Sequence, residues 1–595
     1  MADFYEDIRQ CRRFVAHHAN FDVNVIKRQN PFVQIDLSKI DCTMGRAQAI
    51  AFPGGLDELC MALGIRGKDP QGRALVTLTC KPQKDGTFHE KIETFVKLLA
   101  YNLRDVECLM DVDARLPPLS PAERLIFERT WRKNEIGLPI DINLATAIAM
   151  RRQEIEQEST AKLMEITNNA VTKLSQRQRI LDWANSGNRA AGLENTQKHI
   201  IAEKLTDENL HPDVRIVLEL LQAEGGSAPL KAQALLDRHV NGFYKDATRY
   251  FGARSGRGTS EGANMFNIAR PSGKYDGKEG RATIDQLIDR LKQGHTSLGN
   301  SALTDCLRGC IVAPTGWMVC DNDASQAELR FALWLAGDTE RLNIIATPGS
   351  DLYMYNARKC LNLPETATKS THPKERQTFK SVTLGGNYQL GWRTYLAFLI
   401  RTAAENGLKR HEITDQKAMI DINGYRQANP LLVRLWYDLA DAFKFAIYEQ
   451  HGRIFPVNNK IAFQKDSHGT VWMLLPSGRA VPHYSAHISP TGEMQFFRAK
   501  FGAMMRQKAF GGSLLEIFCQ SCTRDLVTAA EADIENELPD VVLVLDVYDS
   551  ILSLAPAHIA KQRSEQMREI MRRPRPWTAG LPLDCEGYEA DRMRK

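Results

Sequence analysis

Three stretches set apolar positions against charged ones in patterns that predict structure. In "VVLVLDVYDSILSL" (541–554) a nearly continuous apolar run predicts a buried strand, with Asp546 and Asp549 set into its middle. "GWMVCDNDASQAELRFALWLAG" (316–337) predicts a strand ending in Asp321 and Asp323, then a helix. Strand alternation places those two acids on one face. Aspartate also favours helix N-caps, which is the ordinary structural role for Asp323. In "HPKERQTFKSVTLGGNYQLG" (372–391), Arg376, Lys380, Leu384 and Tyr388 recur at four-residue steps. Each step drifts about 40° around a helix, so the four predict one slowly winding stripe.

Residues 1–115 mix short apolar runs with turns such as "FPGG" and "KDPQG" and read as α/β. From about 116 to 212 the pattern is helical and charged. "DINLATAIAMRRQEIEQESTAKLMEI" carries long helical periodicity, and Ser175 is placed to cap the helix of "SQRQRILDWANS". The second half alternates strands with long helices, and no internal repeat appears. The predicted class is a multi-domain α+β protein.

Composition adds little beyond this. The 595 residues are 43% apolar and 25% charged, with a net charge of +5. That permits a nucleic-acid partner without demanding one. No apolar run approaches the ~20 residues of a membrane span. The start, "MADFYEDIRQ", is too polar for a signal peptide, so no membrane partner is expected. The 12 cysteines show no zinc spacing. The single CxxC, Cys519 and Cys522, lies in a helix-like run and reads as packing. Free thiols in this number suit a reducing cytoplasm.

The two acids of 541–554 need explaining, because a buried unpaired carboxylate is expensive. No basic residue lies between 535 and 557. A cation must come from elsewhere in the fold or from solution. Carboxylates from two distant segments are able to hold two Mg2+ ions, which lower the pKa of an attacking hydroxyl and neutralise a leaving pyrophosphate. Arg376 as a fork and Lys380 as a point charge suit successive phosphates. The Gly385–Gly386 pair costs a helix about 1 kcal/mol per residue against Ala. That cost is expected where another backbone or a base comes close.

Assembled in this order, the motifs resemble those of family A DNA polymerases, of bacteriophage type. "DASQAELR" (323–330) is similar to the family's first polymerase motif, and "RQTFKSVTLGGNYQLG" (376–391) to its second. "VYD" (547–549) stands where the family has V-H-D. "SGRGTSEGANMFNIARP" (255–271) and "GGSLLEIFCQSCTRDL" (511–526) resemble segments beside the duplex. The resemblance implies a right-hand polymerase of palm, fingers and thumb. It implies Asp323 and Asp549 as catalytic metal ligands for two Mg2+ ions, with Mn2+ able to substitute. Arg376 and Lys380 would contact the incoming deoxynucleoside triphosphate, Lys380 also protonating pyrophosphate. Glu328 would exclude a ribose 2′-hydroxyl, and Tyr388 would stack near the templating base. Arg257, Asn264, Asn267 and Gln520 would contact primer–template DNA. Asp549 is thereby selected over Asp546, which is left facing a hairpin partner or solvent.

Several positions depart from the family pattern. Leu384 replaces an aromatic, Tyr548 a His, Ala324 an aromatic and Phe266 a Gln, and Ser550 stands where Glu is common. No metal ligand is lost. Leu384 lacks the phenolic hydroxyl that favours dideoxynucleotides, so weak incorporation of those analogues is expected.

The front of the chain resembles an incomplete RNase H-like 3′–5′ exonuclease domain. "VAHHANFD" (15–22) is similar to the second exonuclease motif, ending at Asp22. "YNLRD" (101–105) is similar to the third, with Tyr101 and Asp105 one turn apart. No D-x-E pair precedes Asp22 in this sequence, so little or no proofreading is expected unless another chain supplies it or the sequence starts late. The expected division is 1–115 exonuclease-like, 116–212 thumb, 213–345 and 508–595 palm, and 346–507 fingers. Cations of the thumb such as those in "SQRQR" would grip phosphates, although the same run also reads as a solvated helix start. Expected partners are primer–template DNA, deoxynucleotides and phage replisome proteins. Two rivals share much of the pattern: a single-subunit RNA polymerase, against which Glu328 argues, and an inactive DNA-binding remnant of a polymerase.

Overall fold

The computed structural model describes residues 2–223, 226–272, 277–402, 408 and 412–594. At its centre lies a four-stranded antiparallel sheet in the order Val542–Val547, Ser550–Pro556, Trp317–Ala324, Cys585–Ala590. The predicted strand at 541–554 is therefore two strands joined by a tight turn at Tyr548 and Asp549. Tyr548 takes φ +59°, the left-handed conformation that two-residue hairpin turns require.

Alternation along Trp317–Ala324 sorts its side chains between two cores. Cys320 and Ala324 join a core with Val527, Ile551 and Met567. Val319, on the other face, joins Leu138, Leu144, Leu307 and Leu552. Asp321 and Asp323 share the Val319 face, as the alternation predicts. Behind the sheet runs the long helix Gly511–Glu537, whose Cys519 and Cys522 are buried in packing. All the cysteines are unpaired thiols.

Asp323 is not a helix N-cap. The following helix, Ala327–Ala336, starts after Gln326, and Asp323 belongs to the strand. The cationic helix spans Pro373–Gly386, so Arg376, Lys380 and Leu384 lie within it and Tyr388 just beyond its end. The glycine pair there makes room for this chain's own side chains. A Cβ on Gly386 would stand 2.7 Å from the Tyr425 ring, and one on Gly385 2.5 Å from Leu390. Beyond it, residues 454–509 form a six-stranded antiparallel sheet that shares its core with these helices.

Helices between 163 and 221 close over a core of their own that includes Trp183 and Leu218. Ser175 does not cap the helix Arg177–Asn185, because the N-cap position falls on Gln176. By contrast, helix Pro121–Ile136 is tied to the body, where Arg129 pairs with Glu535 at 2.8 Å. At the front, Phe14–Ala16 and Ile40–Cys42 form a two-stranded parallel pair flanked by helices. No helix among the described residues is long and apolar enough to cross a membrane.

Candidate active site

The hairpin turn sets the geometry. Ser550 lies opposite Asp323 in the strand register, and the Ala324 amide donates to the Asp549 carbonyl at 2.9 Å. Residues more than two hundred positions apart thus become neighbours. Asp321, Asp323 and Asp549 line one cavity of about 360 Å3, together with Phe266, Tyr548 and Glu586. Asp321 accepts a hydrogen bond from the Ser550 hydroxyl. Burial pushes the Asp549 carboxyl above its ordinary range, and Glu328 adds to that while Arg257 and Arg270 oppose it. A carboxylate held in this way gains most from an added cation, and an all-oxygen donor set suits Mg2+. Among the described residues no three Asp, Glu, His or Cys side chains form a ready metal cage.

Asp546 does not face solvent or its hairpin partner. It pairs with the Lys133 ammonium, 413 residues away, which also holds Glu531 at 2.7 Å. The cation that the strand could not supply locally comes from helix Pro121–Ile136. Nothing in the sequence signals this pairing, since Lys133 sits in an ordinary charged helix pattern.

Above the sheet, residues from two separate loops converge on Glu328. The Tyr388 hydroxyl donates to it at 2.9 Å, and Arg257 pairs with it at 2.7 Å. Burial above all holds the Tyr388 hydroxyl well above its ordinary pKa, so it remains a donor. Arg257, from which a DNA contact is expected, is held within the protein here. Arg257 is only 8% exposed, and its guanidinium lies 5.5 Å over the Tyr548 ring. The pull of Glu328 and the ring face accounts for this position. Two departures from the family pattern also touch each other, since Phe266 and Tyr548 meet edge to face at 5.8 Å.

On the cationic helix, Arg376 pairs with Asp351 at 2.9 Å and covers the Tyr353 ring at 5.3 Å. Lys380 is half-buried and makes no ion pair or hydrogen bond among the described residues. Leu384 is exposed. Asn264 and Asn267 are exposed, and both their carbonyls accept from the Lys231 ammonium, at 2.8 and 2.6 Å. Asn267 also lines the cavity. The Gln520 amide donates to Glu516 at 3.1 Å. The sequence did not single out Asp351, and an Asp that caps a helix gives no separate signal.

At the front, Asp22 lies on helix Ala19–Gln29, with burial raising its carboxyl pKa. Tyr101 and Asp105 lie on Ile92–Arg115. Asp105 is neutralised by Lys68 at 2.7 Å, and the same ammonium lies 5.2 Å from the Tyr101 ring centre.

No family model matches the chain. A DNA polymerase of Bacillus phage SP02 is 24% identical over 617 aligned positions, which span 98% of this chain and 89% of the phage protein. The chain is a homologue of a bacteriophage DNA polymerase. Its fold is also that of a Pol I polymerase domain. The polymerase domain of Pol1 from M. smegmatis, solved in complex with DNA primer-template and dNTP, matches with a TM-score of 0.58. That match covers 100% of this chain and 88% of the other at 13% sequence identity, so it speaks to the fold alone.

Proposed function

We propose that this chain is a template-directed DNA polymerase that adds deoxynucleotides to a primer 3′-hydroxyl. The observation that carries the reading is the register of Ser550 on Asp323, which sets the Asp549 turn beside the Asp323 strand end in one cavity. Homology to a phage DNA polymerase over nearly the whole chain supports it.

In this reading the four-stranded sheet is the palm, 346–507 the fingers, and the helices around the 163–221 core the thumb. Asp323 and Asp549 hold two Mg2+ ions, which when bound lower the pKa of the primer hydroxyl and neutralise pyrophosphate. Arg376 and Lys380 bind and orient the triphosphate. Lys380 is available to give its proton to the departing phosphate oxygen. Glu328, held by Tyr388 and Arg257, crowds the 2′ position of the sugar. Asn264, Asn267 and Gln520 position the primer–template. In a viral setting the work is done in the host cytoplasm, beside replisome proteins.

This chain has little or no proofreading activity of its own, because Lys68 neutralises Asp105. Robust excision of mismatched 3′ ends with Mg2+ would reject this part.

Primer extension by wild type and Asp549→Asn tests the whole. Extension is expected to fall by at least ~100-fold, the scale of losing metal-assisted charge stabilisation. Equal extension by both proteins, or no extension by wild type, sinks the reading. The latter result favours an inactive remnant, and a wild type that prefers ribonucleotides is an RNA polymerase.

A further inference from the structure

Three arginines beside the long helix Gly511–Glu537 each have a carboxylate. Arg257 pairs with Glu328 at 2.7 Å, Arg479 with Asp525 at 2.8 Å and Arg524 with Glu123 at 2.7 Å. Arg254 and Arg498 differ, because neither forms an ion pair among the described residues. Arg254 makes no hydrogen bond there either, and its Nε and Nη2 are buried without a partner. Arg498 has a buried, unpartnered Nε, and its one bond, from Nη2 to Gln507, is long at 3.4 Å.

The fold brings these two cations together. Phe496 and Arg498 lie two apart on strand Met494–Lys500 of the six-stranded sheet, so they share a face. The Arg254 guanidinium lies 4.5 Å over the Phe496 ring, which sets it beside Arg498. A buried charge without a counter-ion is costly, and the ring face recovers only part of that cost. Burial, with Arg498 adding to it, pulls the Arg254 pKa down to about 9. Glu516 acts on both cations but forms no ion pair with either. Burial and Glu328 raise its pKa, and its carboxyl accepts from Gln520 instead. His483, 4.9 Å from the Phe496 ring, is kept neutral by burial and adds no charge. What the arginine pair lacks is an anion, and both residues are only half-buried, so one can reach them. Planar guanidiniums match phosphate oxygens and give up their hydration more readily than an ammonium. The surroundings favour one source of phosphate. Arg254 directly precedes the segment 255–271 that resembles one beside the duplex, and Glu516 links the pair to Gln520, from which another DNA contact is expected. The incoming triphosphate has its own cations on helix Pro373–Gly386.

We propose that Arg254 and Arg498 clamp one backbone phosphate of the primer–template, with the six-stranded sheet supplying one side of the clamp. Such a contact carries no sequence information and fixes the position of the strand. The inference rests on the polymerase reading and extends it, since neither arginine lies within any of the segments that resemble polymerase motifs.

Fluorescence anisotropy of the full chain with a labelled primer–template, without nucleotide, tests this. Arg254→Met and Arg498→Gln should each weaken binding about tenfold, the effect of losing a charged hydrogen bond. The double variant should lower the slope of log Kd against log salt by about one, the share of one phosphate. Replacing the backbone phosphates one at a time with neutral methylphosphonates then locates the contact. One position should cost wild type about tenfold and cost either single variant little. In the free protein Arg254→Met should melt no lower than wild type, because it removes a buried unpaired charge and keeps the aliphatic stem. A wild type that binds primer–template, but whose methylphosphonate profile is the same as that of both variants, overturns the proposal and leaves the polymerase reading standing. An Arg254→Met protein that melts several degrees lower overturns it as well, since the guanidinium would then be a structural support. A wild type that binds no primer–template overturns the polymerase reading along with it.

Discussion

Lys133→Met isolates what holds the hairpin of Val542–Val547 and Ser550–Pro556 in place. Lys133 is 4% exposed and Glu531 1%, and Asp546 completes the cluster. Burial pulls the ammonium down, but its two carboxylates outweigh that and its pKa ends above the ordinary value. Burial pushes Glu531 up despite Lys133. Methionine keeps the aliphatic stem, so the cavity cost is small. What is lost is the cation, and stripping one partner from a buried pair costs about 3–5 kcal/mol. Arg129, 3.9 Å from Glu531, offers only partial relief. The pH dependence follows from the carboxylate. A folded-state pKa above the unfolded one means that ionised Glu531 opposes folding. Its contribution is least unfavourable below the unfolded value and worsens as pH rises through the folded one. Removing Lys133 raises that folded value further. The variant's deficit should therefore be small near pH 5 and large near pH 8. Hydrogen exchange of peptides spanning 541–556, compared with wild type at the same pH, reads this locally. Exchange about 100-fold faster is expected near pH 8, the equivalent of ~3 kcal/mol in opening free energy. Adding Glu531→Gln should recover part of it. Exchange within about threefold of wild type near pH 8, or a deficit that grows as pH falls, refutes the reasoning.

Three other outcomes are expected. Asp351→Asn keeps the helix cap but removes the charge that holds Arg376, so KM for deoxynucleotides should fall up to about fivefold, the worth of a half-exposed ion pair. A rise in KM would show that Asp351 orients Arg376 productively. Glu328→Ala should admit ribonucleotides by about tenfold or more in kcat/KM ratio, since it removes a steric exclusion, and an unchanged ratio in single-nucleotide extension denies Glu328 that role. Leu384→Tyr should raise dideoxynucleotide incorporation, read as termination at equal concentrations of the two nucleotides, and termination already efficient in wild type contradicts the assignment.

Much of the site was legible because it rests on local period. The strand, paired acids and helix of 316–337, and the stripe of 373–386, follow from alternation and four-residue steps. The meeting of Asp323 and Asp549 was not readable from either segment and came from resemblance. The hairpin was hidden because its turn carries Tyr548 and Asp549 in place of the Gly or Asn that such turns favour, inside an unbroken apolar run. Gly385 and Gly386 pointed to a backbone or a base coming close, but a glycine does not say what approaches. Here Tyr425 and Leu390 fill the space, a fact fixed by helix packing. Arg257 was read as a DNA contact, and only the fold brings it to Glu328 and Tyr548.

One hairpin treats two aspartates, three positions apart, in opposite ways, and this difference makes the site specific. Asp546 lies within a strand against helix Pro121–Ile136, where an ammonium from that helix neutralises it. A carboxylate so paired has little affinity left for a divalent ion. Asp549 lies in the turn, where no lysine reaches. Of the two arginines that lower its pKa, Arg257 is already committed to Glu328, and Arg270 lines the same cavity. Asp549 shares that cavity with Asp323. The position of one buried cation on a remote helix decides which of the two acids the fold neutralises.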